Sequence, residues 1–329
     1  MNPISRIPAR RRITQGLLAG WLGLSALASL AQDGPAAKII VGFPAGGSFD
    51  AIARLIADKA KTELNRPIVV DNKTGAGGRI AVDALKASPA DGSVVMLGPD
   101  ALTSLYPFTF KKLSYDPKKD LVPIGTAAEF AFSFAVGTNP KANTWAEYVA
   151  WAKANPKDAN YGIPALGAPH HFFGILVGNA IGVPMQNVPF QGSAPINLAL
   201  MGGQISASID VASSQVENHK AGKIRMLAVS TEQRIPQAPD VPTFTELGLP
   251  AISGAGFNAL YAPAGTPASA VEAWNKALAK VMAMPDVKEK LTAMGYIPVG
   301  KSTQELIDRQ NASIRKWEPV IKASGFTAD

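Results

Sequence analysis

The sequence predicts an α/β protein built from two units, each a sheet whose strands are joined by crossover helices. Short apolar runs alternate with amphipathic helical patterns along the chain, which is typical of parallel strands connected through helices. Without an N-terminal leader, roughly 300 residues remain, enough for two domains with cores of their own. The C-terminal third carries helical patterns without a comparable set of strands, so we expect it to pack back on the first sheet.

The N-terminus has the pattern of a cleavable secretory signal peptide. Four arginines within residues 6–12 precede an apolar stretch over 17–30, and the small residues Ser29 and Ala31 suit cleavage after Ala31. The apolar stretch is short for a membrane span. We therefore expect export and a mature chain that begins at Gln32, by either the Sec or the twin-arginine route.

Composition excludes several classes of function. Without the leader arginines the formal charge falls from +7 to +3, and the remaining Lys and Arg residues are not clustered with aromatic residues. A nucleic-acid-binding surface is therefore not predicted. The chain has no cysteine, which rules out disulfides, thiolate metal sites, cysteine nucleophiles and a lipid-modified N-terminal cysteine. We expect neither a metal site nor a cofactor.

The pattern assigns elements to both units. In the first unit, strands are expected over 38–42, 68–70 and 94–97, with helices over 48–64 and 79–87. The second unit is expected to contain strands over 130–137, around Tyr161, and over 187–189 and 205–209, with helices over 144–154, from about His170, and over 195–201. Ser302 to Glu305 form a predicted capping box for the last helix, which Gly325 closes.

The turn Val41 to Asp50, VGFPAGGSFD, joins the first strand to the first helix. Two glycines relax the backbone, and Ser48 is expected to be the N-cap residue of the helix. Unpaired N–H groups and the positive end of the helix dipole favour an anion there. Many such turns bind nothing, so this stretch by itself leaves both interpretations open.

Similar glycine turns recur before other helices. Residues 74–79, TGAGGR, match neither a P-loop nor a dinucleotide fingerprint, and residues 162–169 and 190–195 also connect a strand to a helix. Ligands of open α/β sheets lie beyond the carboxyl ends of the strands. Several turns of this kind in both units favour a ligand site between them.

Catalytic motifs are scarce. The histidines are His170, His171 and His219, and the chain has neither G-x-S-x-G nor H-E-x-x-H. Adjacent histidines point in different directions, so His170 and His171 make a poor metal pair. We expect His171 to fix a helix start and the protein not to be an enzyme. The alternative is a periplasmic hydrolase that uses Ser193 or Ser48 with His171.

Motifs along nearly all of the mature chain carry a family resemblance. They include FPAGGSFD, VDNKTGAGG, LSYDPKKDLVPI, WAKANP, the H-x-x-G spacing of His171 and Gly174, VPFQGSAP, ALMGGQI, APDVPTFTELGLP and LYAPAGTP. Together they resemble the substrate-binding proteins of tripartite tricarboxylate transporters, the Bug family.

This resemblance implies a periplasmic, two-lobed binding protein of the type II kind, with two crossover strands that form a hinge. Residues 1–31 are then the signal peptide, 32–131 and 259–329 form lobe 1, and 132–258 form lobe 2. The implied function is capture of a small mono- or dicarboxylate by a monomer and its delivery to a membrane permease. An alternative hypothesis is that the protein presents its ligand to a membrane sensor rather than to a permease.

The resemblance also implies a set of ligand-binding residues. They are Pro44, Ala45, Gly46, Gly47, Ser48, Phe49, Asp50, Asp100, Ala101, Ala165, Leu166, Gly167, His171, Phe190, Gly192, Ser193 and Asp210. The stretch GIPALGA over 162–168 departs from the family pattern G-S-x-G-x-G-T, and it has lost hydroxyl donors. We therefore expect a drier pocket wall at this stretch. Because few Lys and Arg residues lie in the glycine turns, we also expect the carboxylate to be held mainly by backbone N–H groups, hydroxyls and water rather than by salt bridges.

An aromatic or apolar ligand body is favoured by Phe49, Ile163, Leu166 and Phe190. The same side chains could equally belong to the core, because apolar residues beside a loop are usually buried for packing.

Overall fold

The computed structural model describes residues 35–328, so the predicted leader lies outside the described residues. The strands are β1 (Ala37–Val41), β2 (Ile68–Asn72), β3 (Val94–Pro99), β4 (Leu121–Phe130), β5 (Phe132–Val136), β6 (Asn160–Ile163), β7 (Gln186–Pro189), β8 (Ala207–Val211), β9 (Arg225–Val229), β10 (Gly256–Pro263) and β11 (Tyr296–Pro298). The helices span Ser48–Glu63, Arg79–Lys86, Ala101–Ser104, Tyr106–Thr109, Pro117–Asp120, Trp145–Ala154, Pro169–Ile181, Ser193–Met201, Val216–Lys220, Ala268–Ala283, Pro285–Ala293 and Thr303–Ser324.

The first sheet has the strand order β11-β4-β10-β3-β1-β2. Strand β1 is an almost continuous apolar run because both of its faces are covered. Ile39 packs with the helix Ser48–Glu63 on one face, and Ile40 packs with Val82 and Leu85 on the other. The sheet therefore holds the carboxyl ends of β1 and β3 at one edge, where the first glycine turn begins.

The second sheet has the order β7-β6-β8-β5-β9. Strands β6, β7 and β8 are parallel, and β5 is antiparallel to β8 and β9. In the first sheet, likewise, β1 is parallel to β2 and β3, whereas β10 is antiparallel to β3 and β4. The prediction of parallel strands is right for the crossover units and wrong for the strands that connect the sheets, because those run back against their neighbours.

The chain passes between the two sheets twice, once at Ala131 and once between Val229 and Gly256. Ser230 joins the two passages: its hydroxyl accepts a hydrogen bond from the Phe132 N–H at 2.9 Å, and its carbonyl accepts one from the Gly254 N–H. The fold is therefore a two-lobed α/β arrangement with paired crossovers. The lobe boundaries after residues 131 and 258 stay predictions. The second of these boundaries falls inside β10, which begins at Gly256.

The C-terminal helices contact the first sheet, as their lack of strands predicts. Trp274 is buried and its indole N–H donates to the Gly92 carbonyl at 2.9 Å. The capping box of the helix Thr303–Ser324 is confirmed, with Ser302 and Glu305 each bonding the backbone of the other, and Gly325 ends the helix at φ +66°. One short strand in this region, β11, is missing from the sequence prediction.

A search of residues 35–328 finds no helix with the length and apolarity that crossing a bilayer requires.

Candidate functional site

The first glycine turn places an open helix N-terminus at the carboxyl end of β1. Residues 44–48 are exposed, and Gly46 has φ +81°, a conformation that favours glycine. The N-cap residue is Gly47, so the prediction that Ser48 caps the helix is wrong. Ser48 is the first helical residue, and its hydroxyl accepts a hydrogen bond from the Tyr296 hydroxyl at 3.0 Å. The first-turn N–H groups of a helix have no intrahelical acceptor, and here no side chain caps them either.

Asp50 shapes this turn from within. It is 3% exposed, and its carboxylate accepts hydrogen bonds from the Gly46 N–H at 2.9 Å, the Arg54 side chain at 2.8 Å and the Asn72 amide at 3.0 Å. The hydrogen bond from Arg54 is the largest contribution that lowers the pKa of Asp50 to about 2, against the opposing effect of burial. Both carboxylate oxygens are thus engaged by the protein, which indicates that Asp50 positions the turn.

We expect Asp50→Asn to lower the free energy of unfolding by about 1–3 kcal/mol at pH 7, because asparagine keeps only one acceptor oxygen where the carboxylate uses two, and it removes the charge that pairs with Arg54. Urea denaturation measures this difference. The depressed pKa means that Asp50 stabilises the fold above about pH 4, and that this stabilisation is lost as the pH falls through about 2. The difference in free energy of unfolding between wild type and Asp50→Asn should therefore shrink as the pH falls from about 4 to about 2.

Asp58→Asn is the matched control, since Asp58 forms an exposed ion pair with Lys61 on the same helix. Such pairs contribute about 0–1 kcal/mol. Equal losses for the two variants would contradict the role assigned to Asp50.

The second glycine turn, over 164–168, precedes the helix Pro169–Ile181 in the other sheet. Its N-cap residue, Ala168, offers no side-chain cap, Ala165 and Leu166 are exposed, and Gly167 has φ +73°. His171 holds this turn: its Nδ1 accepts from the Gly167 N–H at 3.4 Å, and its Nε2 lies 3.2 Å from the Asn187 amide nitrogen. These contacts match the expectation that His171 fixes the helix start. They also occupy both ring nitrogens, which leaves His171 poorly placed as a base for Ser48 or Ser193.

The third turn precedes the helix Ser193–Met201. Its N-cap residue, Gly192, has φ +92° and no side-chain cap. The Ser193 hydroxyl lies beside the buried carboxyl group of Asp210, whose pKa is raised by burial and lowered in part by Ser193. Phe190 packs with a core cluster of the second sheet. Gly192, Ser193 and Asp210 therefore lie together at the carboxyl ends of β7 and β8.

Asp100 and Ala101 follow β3 and are both buried, with 4% and 5% of their surface exposed. The Asp100 N–H donates to the Phe257 carbonyl at 3.0 Å. Burial raises the pKa of Asp100 to about 7, and the nearby charge of Arg309 opposes this rise. Near neutral pH a large fraction of Asp100 is thus protonated, which makes its carboxyl group a possible hydrogen-bond donor.

The apolar residues of the predicted pocket divide between core and surface. Ile163 is fully buried in the core, and Leu166 is 49% exposed. Phe49 stacks on Phe43 with the ring centroids 4.2 Å apart. Of the two interpretations of this set, core packing applies to Ile163 and Phe190, whereas Leu166 presents apolar surface beside the second turn.

Close contacts bring the turns of the two sheets together. Gly295, at φ +80°, lies so near Ser213 that an added Cβ would be 2.3 Å from the Ser213 Cβ. Its neighbour Tyr296 donates to Ser48 in the first turn, and Ser213 follows β8 and Asp210. The first turn and the Asp210 region therefore face each other across the gap between the sheets.

Sequence reasoning missed three residues of this gap. His170, Asn258 and Tyr296 are largely buried, and His170 and Asn258 carry side-chain polar atoms that have no hydrogen-bond partner within the described part of the chain. Periodicity gives no signal for such residues, because an interior polar group is recognised only from its surroundings. Even for His170, which its adjacent histidine makes conspicuous, the sequence does not show that the ring packs against Phe132 with both nitrogens unpaired.

A cavity of about 1030 Å³ lies between the C-terminal helix and the two crossovers, and its wall includes Phe132 and Pro169. Of the predicted site residues, its wall contains Asp100. It also includes Glu129 and Arg309, which form an ion pair, and Lys316, whose pKa burial lowers to about 8. Among residues 35–328 there is no cluster of three or more side chains suited to hold a metal ion.

The sequence matches the family model described as "Tripartite tricarboxylate transporter family receptor" over residues 52–326. A protein of Pseudomonas sp. (strain P51) is 31% identical over 315 residues, which cover 95% of this chain and 94% of the relative. Protein BugT of Bordetella pertussis is 30% identical over 317 residues, covering 94% of this chain and 96% of that protein.

Solved structures show the same similarity. An R. palustris protein solved with adipate has a TM-score of 0.77 and 30% identity, covering 89% of this chain and 98% of that one. MatC from Rhodopseudomonas palustris, solved with malate, has a TM-score of 0.72 and 27% identity, covering 87% and 98%. The two sheets with paired crossovers, the turns that meet between them and these matches show that the chain belongs to the tripartite tricarboxylate transporter receptor family of periplasmic solute-binding proteins.

Proposed function

We propose that this protein captures a small organic carboxylate in the gap between its sheets and delivers it to a membrane permease of the tripartite tricarboxylate type. The observation that carries the proposal is the arrangement of helix N-termini. The helices that begin at Ser48, Pro169 and Ser193 come from both sheets, start at carboxyl ends of strands, and lack a side-chain cap. Such ends present N–H groups and a positive dipole to an anion.

One helix N-terminus contributes too little binding free energy to account for tight binding of a carboxylate by itself. A helix N-terminus stabilises an exposed charge by roughly 0.3–1 kcal/mol and a partly buried one by about 2 kcal/mol. Micromolar affinity requires about 8 kcal/mol. Several N–H groups, hydroxyls such as those of Ser48 and Ser193, and closure of the gap must therefore act together. Two similar structures were solved with adipate and malate, which supports a small carboxylate as the ligand.

A thermal-shift screen of the mature protein tests the proposal. The compounds are aliphatic mono-, di- and tricarboxylates, aromatic acids, and the amide of each acid as its neutral control. A ligand at a hundred times its Kd stabilises a protein by about 2.7 kcal/mol, which is readily detected. We expect at least one carboxylate to raise the Tm while its amide does not. Equal shifts for acids and amides, or none for any carboxylate, would overturn the proposal.

A further inference from the structure

Phe326 lies against the back of the second glycine turn. The tip of this turn, residues 165–166, is exposed, whereas Gly167 is buried. A Cβ added to Gly167 would be 2.7 Å from the Phe326 ring. The same ring is edge-on to His171, with the ring centroids 4.9 Å apart. Phe326 therefore contacts both the buried side of the turn and the side chain that holds the turn.

These contacts surround a hydrogen bond that shapes the turn. The Gly167 N–H donates to His171 Nδ1 at 3.4 Å. Burial lowers the pKa of His171, so its ring is neutral at pH 7 and keeps a lone pair for this bond. A distance of 3.4 Å is long for an N–H hydrogen bond. Packing against Phe326 must therefore contribute to the conformation of the turn.

Residues 325–328, called here the post-helix segment, carry Phe326 to this position. They follow directly on the helix Thr303–Ser324. The Ala328 N–H donates to the Thr109 carbonyl at 2.6 Å, and Thr109 ends a short helix beyond β3 of the first sheet. The segment is thus fixed to the unit of the first sheet, while its aromatic ring lies on a turn of the second sheet.

Support of this kind affects ligand affinity. The second glycine turn leads into the helix N-terminus at Pro169, which the proposed function assigns to the carboxylate. A loop that fluctuates in the free protein has to be ordered when the ligand binds, and this ordering lowers the affinity. Segments with few buried contacts open locally at a small free-energy cost. Since Phe326 covers the back of a turn whose tip is exposed, loss of its ring should let the turn fluctuate.

We propose that Phe326 is a positioning residue of the carboxylate site, whose ring keeps the second glycine turn in the conformation that presents the Pro169 helix N-terminus to the ligand. Phe326 acts through Gly167 and His171 and not by touching the ligand. The inference rests on the proposed carboxylate-binding function. It extends that function to the post-helix segment, which contains none of the predicted ligand-binding residues.

Calorimetry with adipate, malate and the most stabilising acid of the screen tests the proposal. We expect Phe326→Ala to raise the Kd about fivefold to twentyfold, because the turn must then be ordered as the ligand binds. Phe326→Tyr keeps the ring, and its Kd should stay within about twofold of the wild-type value. An unchanged Kd in Phe326→Ala would overturn the inference while the proposed function stands. Absence of binding to the wild-type protein by every carboxylate defeats both.

Leu306→Ala is the control that distinguishes a loss of affinity from a loss of stability. Leu306 lies on the helix Thr303–Ser324, is fully buried, and packs in a core cluster of the first sheet that contains no residue of the second turn. It should therefore lower the Tm at least as much as Phe326→Ala, and leave the Kd within about twofold of the wild-type value. A Kd that follows the Tm in both variants would show that Phe326 acts only through global stability.

Hydrogen exchange observes the turn directly and needs no ligand. In Phe326→Ala we expect the amide groups over 164–171 to exchange at least about fivefold faster, and those of the helix Ser193–Met201 to exchange at the wild-type rate. Ala328→Pro keeps the ring but removes the N–H that donates to Thr109. It should accelerate exchange over 164–171 by a smaller factor, and it tests the inference if Phe326→Ala folds poorly. Wild-type exchange over 164–171 in both variants would refute the positioning role.

Discussion

Replacing Ser48 with proline is expected to weaken carboxylate binding about tenfold to a hundredfold while the protein stays folded. Ser48 is the first residue of its helix, a position where proline is well tolerated because the lost N–H has no intrahelical acceptor. The preceding residue, Gly47, has φ −76° and ψ 171°, which suits a residue before proline. The chain already uses this arrangement at Pro169, the first residue of its own helix.

The expected loss follows from the charge of the ligand. A hydrogen bond to a charged group contributes about 1.5–3 kcal/mol, and each 1.4 kcal/mol is a tenfold change in Kd. Isothermal calorimetry with the most stabilising acid from the screen measures the change. If the backbone N–H of Ser48 contacts the carboxylate, its removal in Ser48→Pro should raise the Kd measurably even though the other backbone N–H groups of the site remain.

Ser48→Ala distinguishes the contribution of the Ser48 backbone N–H to ligand affinity from that of its side-chain hydroxyl. It keeps the N–H and removes the hydroxyl that accepts from Tyr296, so we expect a smaller loss of affinity than for the proline variant. Circular dichroism and the Tm without ligand verify that both variants are folded. Wild-type affinity in the folded proline variant would rule out the Ser48 amide as a ligand contact.

Asp100→Asn should make the protein more stable at pH 8 by up to about 4 kcal/mol and leave its stability at pH 4 nearly unchanged. Burial raises the pKa of Asp100 from its ordinary value of 3.8 to about 7. A raised pKa means that folding favours the protonated acid, so the contribution of Asp100 to stability is complete below about pH 4. It is lost as the pH rises to about 7, and each unit of pKa difference corresponds to about 1.4 kcal/mol.

Chemical denaturation of wild type and variant at pH 4, 6 and 8 measures this dependence. Asparagine resembles the protonated carboxyl group in shape but does not ionise, so the variant should lack this component of the pH slope. Asp58→Asn provides the opposite case, because the hydrogen bond from Lys61 lowers the pKa of Asp58, and no gain at pH 8 is expected. Parallel stability curves for wild type and Asp100→Asn would show that the Asp100 carboxylate is not destabilised in the fold.

Local sequence patterns carry much of the fold. The apolar run of β1, the helix that follows it and the capping box at Ser302 are each predicted from neighbouring residues, and each is present. The direction of β10 is not predicted, since pairing between distant strands depends on the path of the chain. The N-cap at Gly47 in place of Ser48 shows a similar limit, because the Ser48 hydroxyl is used by Tyr296, which is remote in sequence.

The sequence alone determined the α/β class, the glycine turns at strand ends and the family resemblance, because these depend on local periodicity, on glycine conformations and on motif order. The tertiary structure decided which of those residues shape the turns and which face the gap. Asp50 and His171 have their polar atoms taken up by the protein, whereas His170 and Asn258 have none of theirs paired within the described residues. The physical reason is that hydrogen-bond satisfaction and burial arise between groups distant along the chain, and they exist only once both sheets are assembled.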